Sequence, residues 1–165
     1  MKKKCFVVTV VIALIACLYG WTSAQEATKQ DVISMVEKAG KLIEEKGDAA
    51  LVAISDPKGE FIDREKSLYV FVYDENIVLL AHPYLSGLIG QSLKGKPDEQ
   101  GRMFRDEIVG KALTKGSGWT KYSYLKPVST GKKITYRVKY EKNTYGKLFK
   151  HGGKKYIVCS GIYEK

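Results

Sequence analysis

The aromatic residues of this chain are concentrated in its C-terminal two-thirds. Among 165 residues there are 11 tyrosines, 5 phenylalanines and 2 tryptophans. Beyond residue 24, every one of them except Phe61 lies at Tyr69 or later. Aromatic and β-branched side chains favour a pleated, half-buried surface. The chain from residue 68 onward is therefore expected to be largely β-sheet, with helices before it.

The stretch before that sheet has the pattern of an amphipathic helix over residues 26–46. Apolar residues recur there at steps of four, three and four, which places them on one helical face. They are Val32, Val36, Ala39 and Ile43. Gly47 suits the end of this helix, and Asp48 suits the N-cap of a short second helix over residues 49–54.

The first predicted strands form a hairpin. Residues 68–73 alternate so that Tyr69, Phe71 and Tyr73 share one face while the aliphatic residues between them share the other. Residues 77–82 return antiparallel to them after a turn. Pro83 ends the hairpin.

The remaining pattern predicts one more helix and three more strands. The glycine-rich residues 84–100 form a loop, and residues 101–113 form the helix. The strands cover residues 119–125, 134–140 and 155–163, with the last two joined by a loop over residues 143–153. The fold class is α+β, in which the long N-terminal helix packs on an antiparallel sheet of about five strands. The loop and second long helix can then cover a pocket on the other face.

The first residues have the layout of a secretory signal peptide. A basic start is followed by an apolar run over residues 6–16 and by small residues before a predicted cut between Ala24 and Gln25. Two alternatives remain open, namely a lipoprotein attached through Cys17 and an uncleaved anchor. Each places a single domain, residues 25–165, outside the cytoplasm, and the periplasm is the predicted compartment.

Charge and cysteine content narrow the function classes. Three of the 28 basic residues precede residue 24, which leaves 25 against 18 acidic ones and a net charge of +7. These charges are dispersed, so we predict no nucleic-acid partner but a surface that favours anionic ligands. Cys159 is the only cysteine after the leader, so no internal disulfide can form. Its apolar neighbours predict a small buried hydrophobe.

Motifs for catalysis and metal binding are absent from the sequence. It has no Gly-x-Ser-x-Gly or His-Glu-x-x-His, and no cysteine beside a base. His82 and His151 are the two histidines, and neither belongs to a cluster with metal-ligand spacing. We therefore expect no enzyme activity, no metal site and no cofactor.

Several short segments occur in an order that resembles the single Cache domain family of extracytoplasmic sensors. They are residues 53–57 with Gly59 and Phe61, residues 69–74, Ala81-His82-Pro83, Gly116-Ser117-Gly118-Trp119 and Gly161-Ile162-Tyr163. The similarity covers residues 26–165. It implies a PAS-like fold that binds a small organic ligand, such as a short carboxylate. Because no output domain follows Lys165, the resemblance implies a stand-alone exported form.

The resemblance and the strand pattern together give a set of ligand-binding candidates: Tyr69, Phe71, His82, Pro83, Arg102, Trp119, Tyr122, Tyr124 and Lys133. His82 is the leading one, with Pro83 fixing the chain beside it. For the cation, the family position is Lys133, and Arg102 is the alternative because it can bind a carboxylate through two bonds.

Three points about these candidates stay open. A backbone carbonyl could satisfy His82 at a strand end, and Tyr69 with Phe71 could pack under the long helix. In a regular strand, Tyr122 and Tyr124 point away from Trp119, so all three cannot reach one ligand.

An exported basic interaction protein is the alternative function. It would dock on a receptor or membrane protein and keep only a vestigial pocket. A homodimer formed through the N-terminal helix is a related expectation.

Overall fold

The computed structural model describes residues 26–130 and 133–164, without the side chains of residues 127–138. The predicted leader, its cleavage site and Cys17 lie outside the described residues. The helices are α1 (Lys29–Lys46), α2 (Ala50–Ser55) and α3 (Phe104–Lys115), with short 3-10 turns at Gly47–Ala49 and Ser86–Leu88. The strands are β1 (Ile62–Asp63), β2 (Leu68–Tyr69), β3 (Phe71–Tyr73), β4 (Leu79–Ala81), β5 (Ser117–Thr130), β6 (Lys133–His151) and β7 (Lys154–Glu164). No helix among them is long and apolar enough to cross a bilayer.

The α+β architecture is confirmed. Five strands form one antiparallel sheet in the order β4-β3-β7-β6-β5, and β1 pairs with β2 in a separate small ladder. Helix α1 covers one face of the sheet, and α3 covers the other together with the segment that precedes it. Because β7 is the central strand, the last residues of the domain hold its two halves together.

The start of α1 is set by a capping box. The Thr28 hydroxyl accepts the Asp31 backbone N–H, and the Asp31 carboxylate accepts the Thr28 N–H at 2.8 Å. The helix therefore begins at Lys29, three residues later than predicted. Asp48 was expected to cap the short second helix, and that expectation is wrong. Its carboxylate instead accepts the Tyr156 hydroxyl at 2.7 Å and pairs with Lys154.

The predicted loop over residues 143–153 is also wrong. Strand β6 continues to His151 and pairs with β7 along its length, and the turn is the pair Gly152–Gly153 with positive φ angles of 56° and 82°. Gly146 had suggested a loop, but it marks a close approach. A Cβ at that position would lie 2.8 Å from Ile108 Cγ2 of α3.

The predicted division of the hairpin faces is confirmed. Val70 and Val72 pack with Val36 and Ile43 of α1 in one buried cluster. Tyr69, Phe71 and Tyr73 belong to a second cluster on the opposite face, built around α3. Cys159 is buried in this second cluster, as its apolar neighbours predicted.

Candidate functional site

A small cavity lies between the sheet and α3, within the second buried cluster. Its polar lining residues are Tyr69, Tyr73, His82, Arg105, Tyr122, Tyr124 and Lys142, and Phe71 and Phe104 contribute apolar walls. The space open to the centre of a water molecule is about 10 Å³, which is roughly the room of one water molecule. The aromatic face of the sheet is thus nearly closed by its own side chains.

Lys142 is the most unusual residue of this cavity. The residue is 1% exposed, and its Nζ donates to the Tyr69 hydroxyl at 2.8 Å. Nζ also lies 4.1 Å from the centre of the Tyr69 ring and 4.9 Å from that of Tyr163. Desolvation lowers the pKa of its amine to about 7. No acidic residue lines the cavity, so the charged form of Lys142 has no carboxylate beside it there.

Lys142 is absent from the candidates predicted above, because the predicted strand ends at residue 140. In the structure, Lys142 lies on β6 opposite Tyr122 on one side and Tyr163 on the other. The pleat that turns Tyr122 toward α3 also turns Lys142 inward. Lysine usually faces solvent, so no local signal in the sequence marks this one.

His82 points into the same cavity and is 5% exposed. Its Nδ1 accepts the backbone N–H of Tyr84 at 3.0 Å, which leaves the proton of the neutral ring on Nε2. Burial, reinforced by the charges of Lys142 and Arg105, lowers the pKa of His82 to about 3. His82 is therefore a neutral donor, and the backbone group that fixes it is an amide rather than the carbonyl considered above. Pro83 follows it and is buried.

Arg105, rather than Arg102, brings a guanidinium to the cavity. Its guanidinium lies 4.1 Å from the centre of the Phe104 ring, and one Nη donates to the Lys96 carbonyl at 3.2 Å. Its Nε is buried and has no hydrogen-bond partner among the described residues. Arg102 is exposed and bonds Glu107 at 2.9 Å, because it precedes the first turn of α3 and faces outward. The side chain of Lys133 lies outside the described ones.

The three aromatic candidates of β5 lie on two different faces of the sheet, as alternation along a regular strand requires. Tyr122 stacks on Phe104 with ring centres 4.0 Å apart, and its hydroxyl lies 3.0 Å from Thr144 Oγ1. Tyr124 meets Phe104 edge-on. Trp119 lies on the α1 face beside Tyr145, with the Lys29 ammonium 5.3 Å from its ring. The expectation that Trp119 walls the cavity is wrong, since no bulge shifts its register.

These groups give the cavity one chemical character. A guanidinium, a buried amine and an imidazole Nε2–H are donors, and the phenols can donate as well. Tyr69, Tyr73 and Tyr122 keep their protons, because burial raises the pKa of each phenol. The lining suits an anion that accepts hydrogen bonds. Within the described residues, no group of His, Cys, Asp and Glu could hold a metal ion.

A family model described as Single Cache domain 2 matches residues 7–144. The chain belongs to the single Cache domain family. The match ends within β6, before β7 begins. A search of curated proteins found no match.

The solved structures that this chain resembles include sensor domains of chemotaxis and chemosensory proteins. A "Periplasmic sensor domain of chemotaxis protein" is 24% identical with a TM-score of 0.60, and the alignment covers 100% of both chains. A structure titled "Structural basis for carboxylic acid recognition by a Cache chemosensory domain" is 24% identical with a TM-score of 0.63, covering 82% of this chain and 92% of the other. A methyl-accepting chemotaxis protein from Vibrio parahaemolyticus RIMD 2210633 is 17% identical with a TM-score of 0.62, covering 95% of each chain. At these identities the likeness shows the Cache fold alone.

Proposed function

We propose that this Cache domain is an extracytoplasmic sensing module that binds a short organic acid, as its carboxylate, in the cavity beside His82. The chain belongs to the single Cache domain family, and the resemblance described above implies a small-molecule sensor. One structural neighbour carries carboxylic acid recognition in its title, and another is a periplasmic sensor domain. Residues 1–24 act as the export signal in this proposal, and residues 25–165 form the binding domain.

The observation that carries the proposal is the buried Lys142 without a carboxylate beside it. A buried ammonium is costly unless an opposite charge pairs with it. No acidic side chain lines the cavity. A bound carboxylate would supply the missing charge, and its oxygens could accept from Lys142 and from the unpartnered Nε of Arg105.

Each donor has a distinct role. Arg105 offers a positive charge on a planar guanidinium that can donate two parallel hydrogen bonds to a carboxylate. His82 offers a neutral Nε2–H that keeps its direction because the Tyr84 backbone holds the other ring nitrogen. Lys142 takes up a proton when the anion arrives, because a nearby negative charge raises the pKa of an amine. Binding should therefore weaken as the pH rises above about 7.

The narrow cavity limits affinity. A ligand of acetate size has four heavy atoms, so a ceiling of about 1.5 kcal/mol per atom gives roughly 6 kcal/mol. That corresponds to a dissociation constant in the range of tens of micromolar. Because the free space holds about one water molecule, entry requires side chains to move. Leu85 and Leu93, from the segment between β4 and α3, line the cavity and are among the side chains that must move.

Calorimetry against a panel of C2–C4 carboxylates tests the proposal. We expect binding by the wild type, loss of at least about tenfold in affinity for Lys142→Met, and little change for Lys147→Met. Lys147 is a matched control because it lies on the same strand and bonds Glu37 on the opposite face. The absence of heat from every acid at millimolar concentration would reject the proposal.

The small volume of the cavity is the observation that favours the rival function. A basic protein that docks on a receptor or membrane partner needs no open pocket. In that case no small acid should raise the melting temperature, whereas a ligand at 100 times its dissociation constant should add about 2.7 kcal/mol of stability.

A homodimer through α1 would require its lysine-rich outer face to be covered, and analytical ultracentrifugation tests that arrangement.

A further inference from the structure

The amine of Lys142 has the surroundings of a nucleophile. It is buried, and at neutral pH a large share of it is unprotonated because burial lowers its pKa to about 7. Only the unprotonated amine has an electron pair free to form a bond. Its hydrogen-bond partner is the Tyr69 hydroxyl at 2.8 Å, not a carboxylate that would hold the ammonium form.

The other groups of the cavity suit a negative charge created on that nitrogen. The Nε of Arg105 is buried without a hydrogen-bond partner among the described residues. His82 Nε2–H and the phenols lie in the same lining, and no acidic side chain does. An anion formed at Lys142 would therefore enter a set of donors that contains the unpartnered Nε of Arg105 and no negative charge.

The size of the cavity restricts the partner for this amine. About 10 Å³ is open to the centre of a water molecule, close to the room of a single water. Carbon dioxide is a linear triatomic molecule without charge, so it loses little hydration on passing between aromatic rings. The volume of carbon dioxide is therefore closer to the free volume of the cavity than the volume of any carboxylic acid is.

We propose that Lys142 is a site of reversible carbamylation, at which this Cache domain captures dissolved carbon dioxide. The Nζ electron pair forms a bond to the carbon, and one carbon–oxygen π pair moves onto its oxygen. Nζ releases one proton, and the product is a lysine carbamate with a single negative charge. In the reverse direction, a proton returns to nitrogen and the carbon–nitrogen bond breaks, so no oxidant or reductant takes part.

The released proton first meets the Tyr69 hydroxyl. This hydroxyl accepts from Nζ at 2.8 Å and lies 3.0 Å from the Tyr163 hydroxyl, which donates to the Leu125 carbonyl at 3.4 Å. Tyr163 is also one of the residues that line a larger open groove of about 570 Å³. In the proposed reaction, the two hydroxyl groups pass the proton toward that groove.

Lys147 provides an internal comparison on the same strand. Its ammonium bonds Glu37 at 2.7 Å, and that bond raises the pKa of Lys147 above its ordinary value. Because a lower pKa leaves more of an amine unprotonated, Lys142 has far more free amine than Lys147 at neutral pH. Carbamylation should therefore select Lys142 over the other lysine.

The test incubates the folded protein with ¹³C-bicarbonate at pH 7.5 and fixes any carbamate by methylation with a trialkyloxonium salt. Digestion and mass spectrometry then locate the label. We expect at least about tenfold more label at Lys142 than at Lys147. A carbamate signal in the ¹³C NMR spectrum should persist in Lys147→Met and vanish in Lys142→Met.

Equal labelling of the two lysines, or no label in protein that still binds carboxylates, would overturn the carbamate site and leave the proposed function standing. Label at Lys142 without carboxylate binding would support the carbamate and reject the proposed function. Because Lys142 and Lys147 are compared within one wild-type molecule, the result does not depend on whether Lys142→Met folds.

Discussion

The two faces of the sheet bury different kinds of side chain. The α1 face is a dry aliphatic core in which Val36, Ile43, Val72 and Val158 are completely buried. The α3 face combines five buried aromatic residues with aliphatic ones, and it also buries an imidazole and an amine. Burial stabilises the first face through transfer of apolar area from water. On the second face apolar burial also stabilises the fold, but burial of His82 and Lys142 costs free energy because these groups lose their hydration. One sheet therefore combines a largely aliphatic core with a face that buries two ionisable groups.

Truncation within the α1 face should give the largest change in stability. Ile43→Ala leaves a cavity under the helix, and such changes cost about 2–5 kcal/mol. Ile43 has no exposed surface, so the site cannot refill with water cheaply. Denaturant unfolding measures the free energy of unfolding. A loss below about 1 kcal/mol would show that the α1 face is not the tighter core.

The opposite change is expected on the α3 face, where Lys142→Met should raise the free energy of unfolding by about 1–4 kcal/mol at pH 7. The unfolded chain keeps a proton on Lys142 up to its ordinary pKa of 10.5, whereas the folded chain keeps it only up to about 7. The wild type should therefore gain stability as the pH rises from about 7 to 10.5, and the variant should lack that gain. Parallel pH profiles for the two proteins would contradict this assignment.

Lowering the pH should reduce the free energy of unfolding through protonation of His82 on the α3 face. Its pKa is about 3 in the folded state against 6.5 in the unfolded chain, so stability is lost as the pH falls through that interval. The slope is up to about 1.4 kcal/mol per pH unit. His82→Asn retains an acceptor for the Tyr84 amide and should flatten the slope between pH 6 and 5. Unfolding at several pH values gives the comparison, and identical slopes would place His82 outside the acid response.

The smallest expected effects are those of replacing Arg105 and Arg102, and they distinguish the roles of the two residues. Arg105→Ala should weaken carboxylate binding about tenfold, because its guanidinium faces the cavity. Arg102→Ala should change affinity less than about twofold and cost at most about 1 kcal/mol of stability, since its pair with Glu107 is exposed. Calorimetry with the same acid measures both. Equal losses would restore Arg102 as a ligand contact.

Local patterning was sufficient for the parts of the fold that depend on periodicity. The spacing of Val32, Val36, Ala39 and Ile43 predicted α1, and its buried face is the one observed. Alternation in residues 68–73 correctly separated the face of Tyr69 from that of Val70. These predictions succeeded because neighbours in sequence decide which side chains share a face.

The errors arose where distant pairing overrides local signals. Gly146 and Gly152 looked alike in the sequence, yet one lies inside β6 and the other in its turn. Only pairing with β7 extends β6 past residue 140, and that extension brings Lys142 to the cavity. Arg102 and Arg105 could not be distinguished either, because the first residue of α3 was predicted three positions too early.

Periodicity along the chain is enough to define an α+β domain with a helix-covered aliphatic face, an aromatic strand face and His82 at a strand end. The identity of the cationic residues beside that histidine, Lys142 and Arg105, follows only from the packing of strands and helices. Local periodicity predicts which apolar residues are buried, because they share one face of a helix or strand. The burial of a charged side chain depends instead on contacts between strands and helices that are distant in sequence.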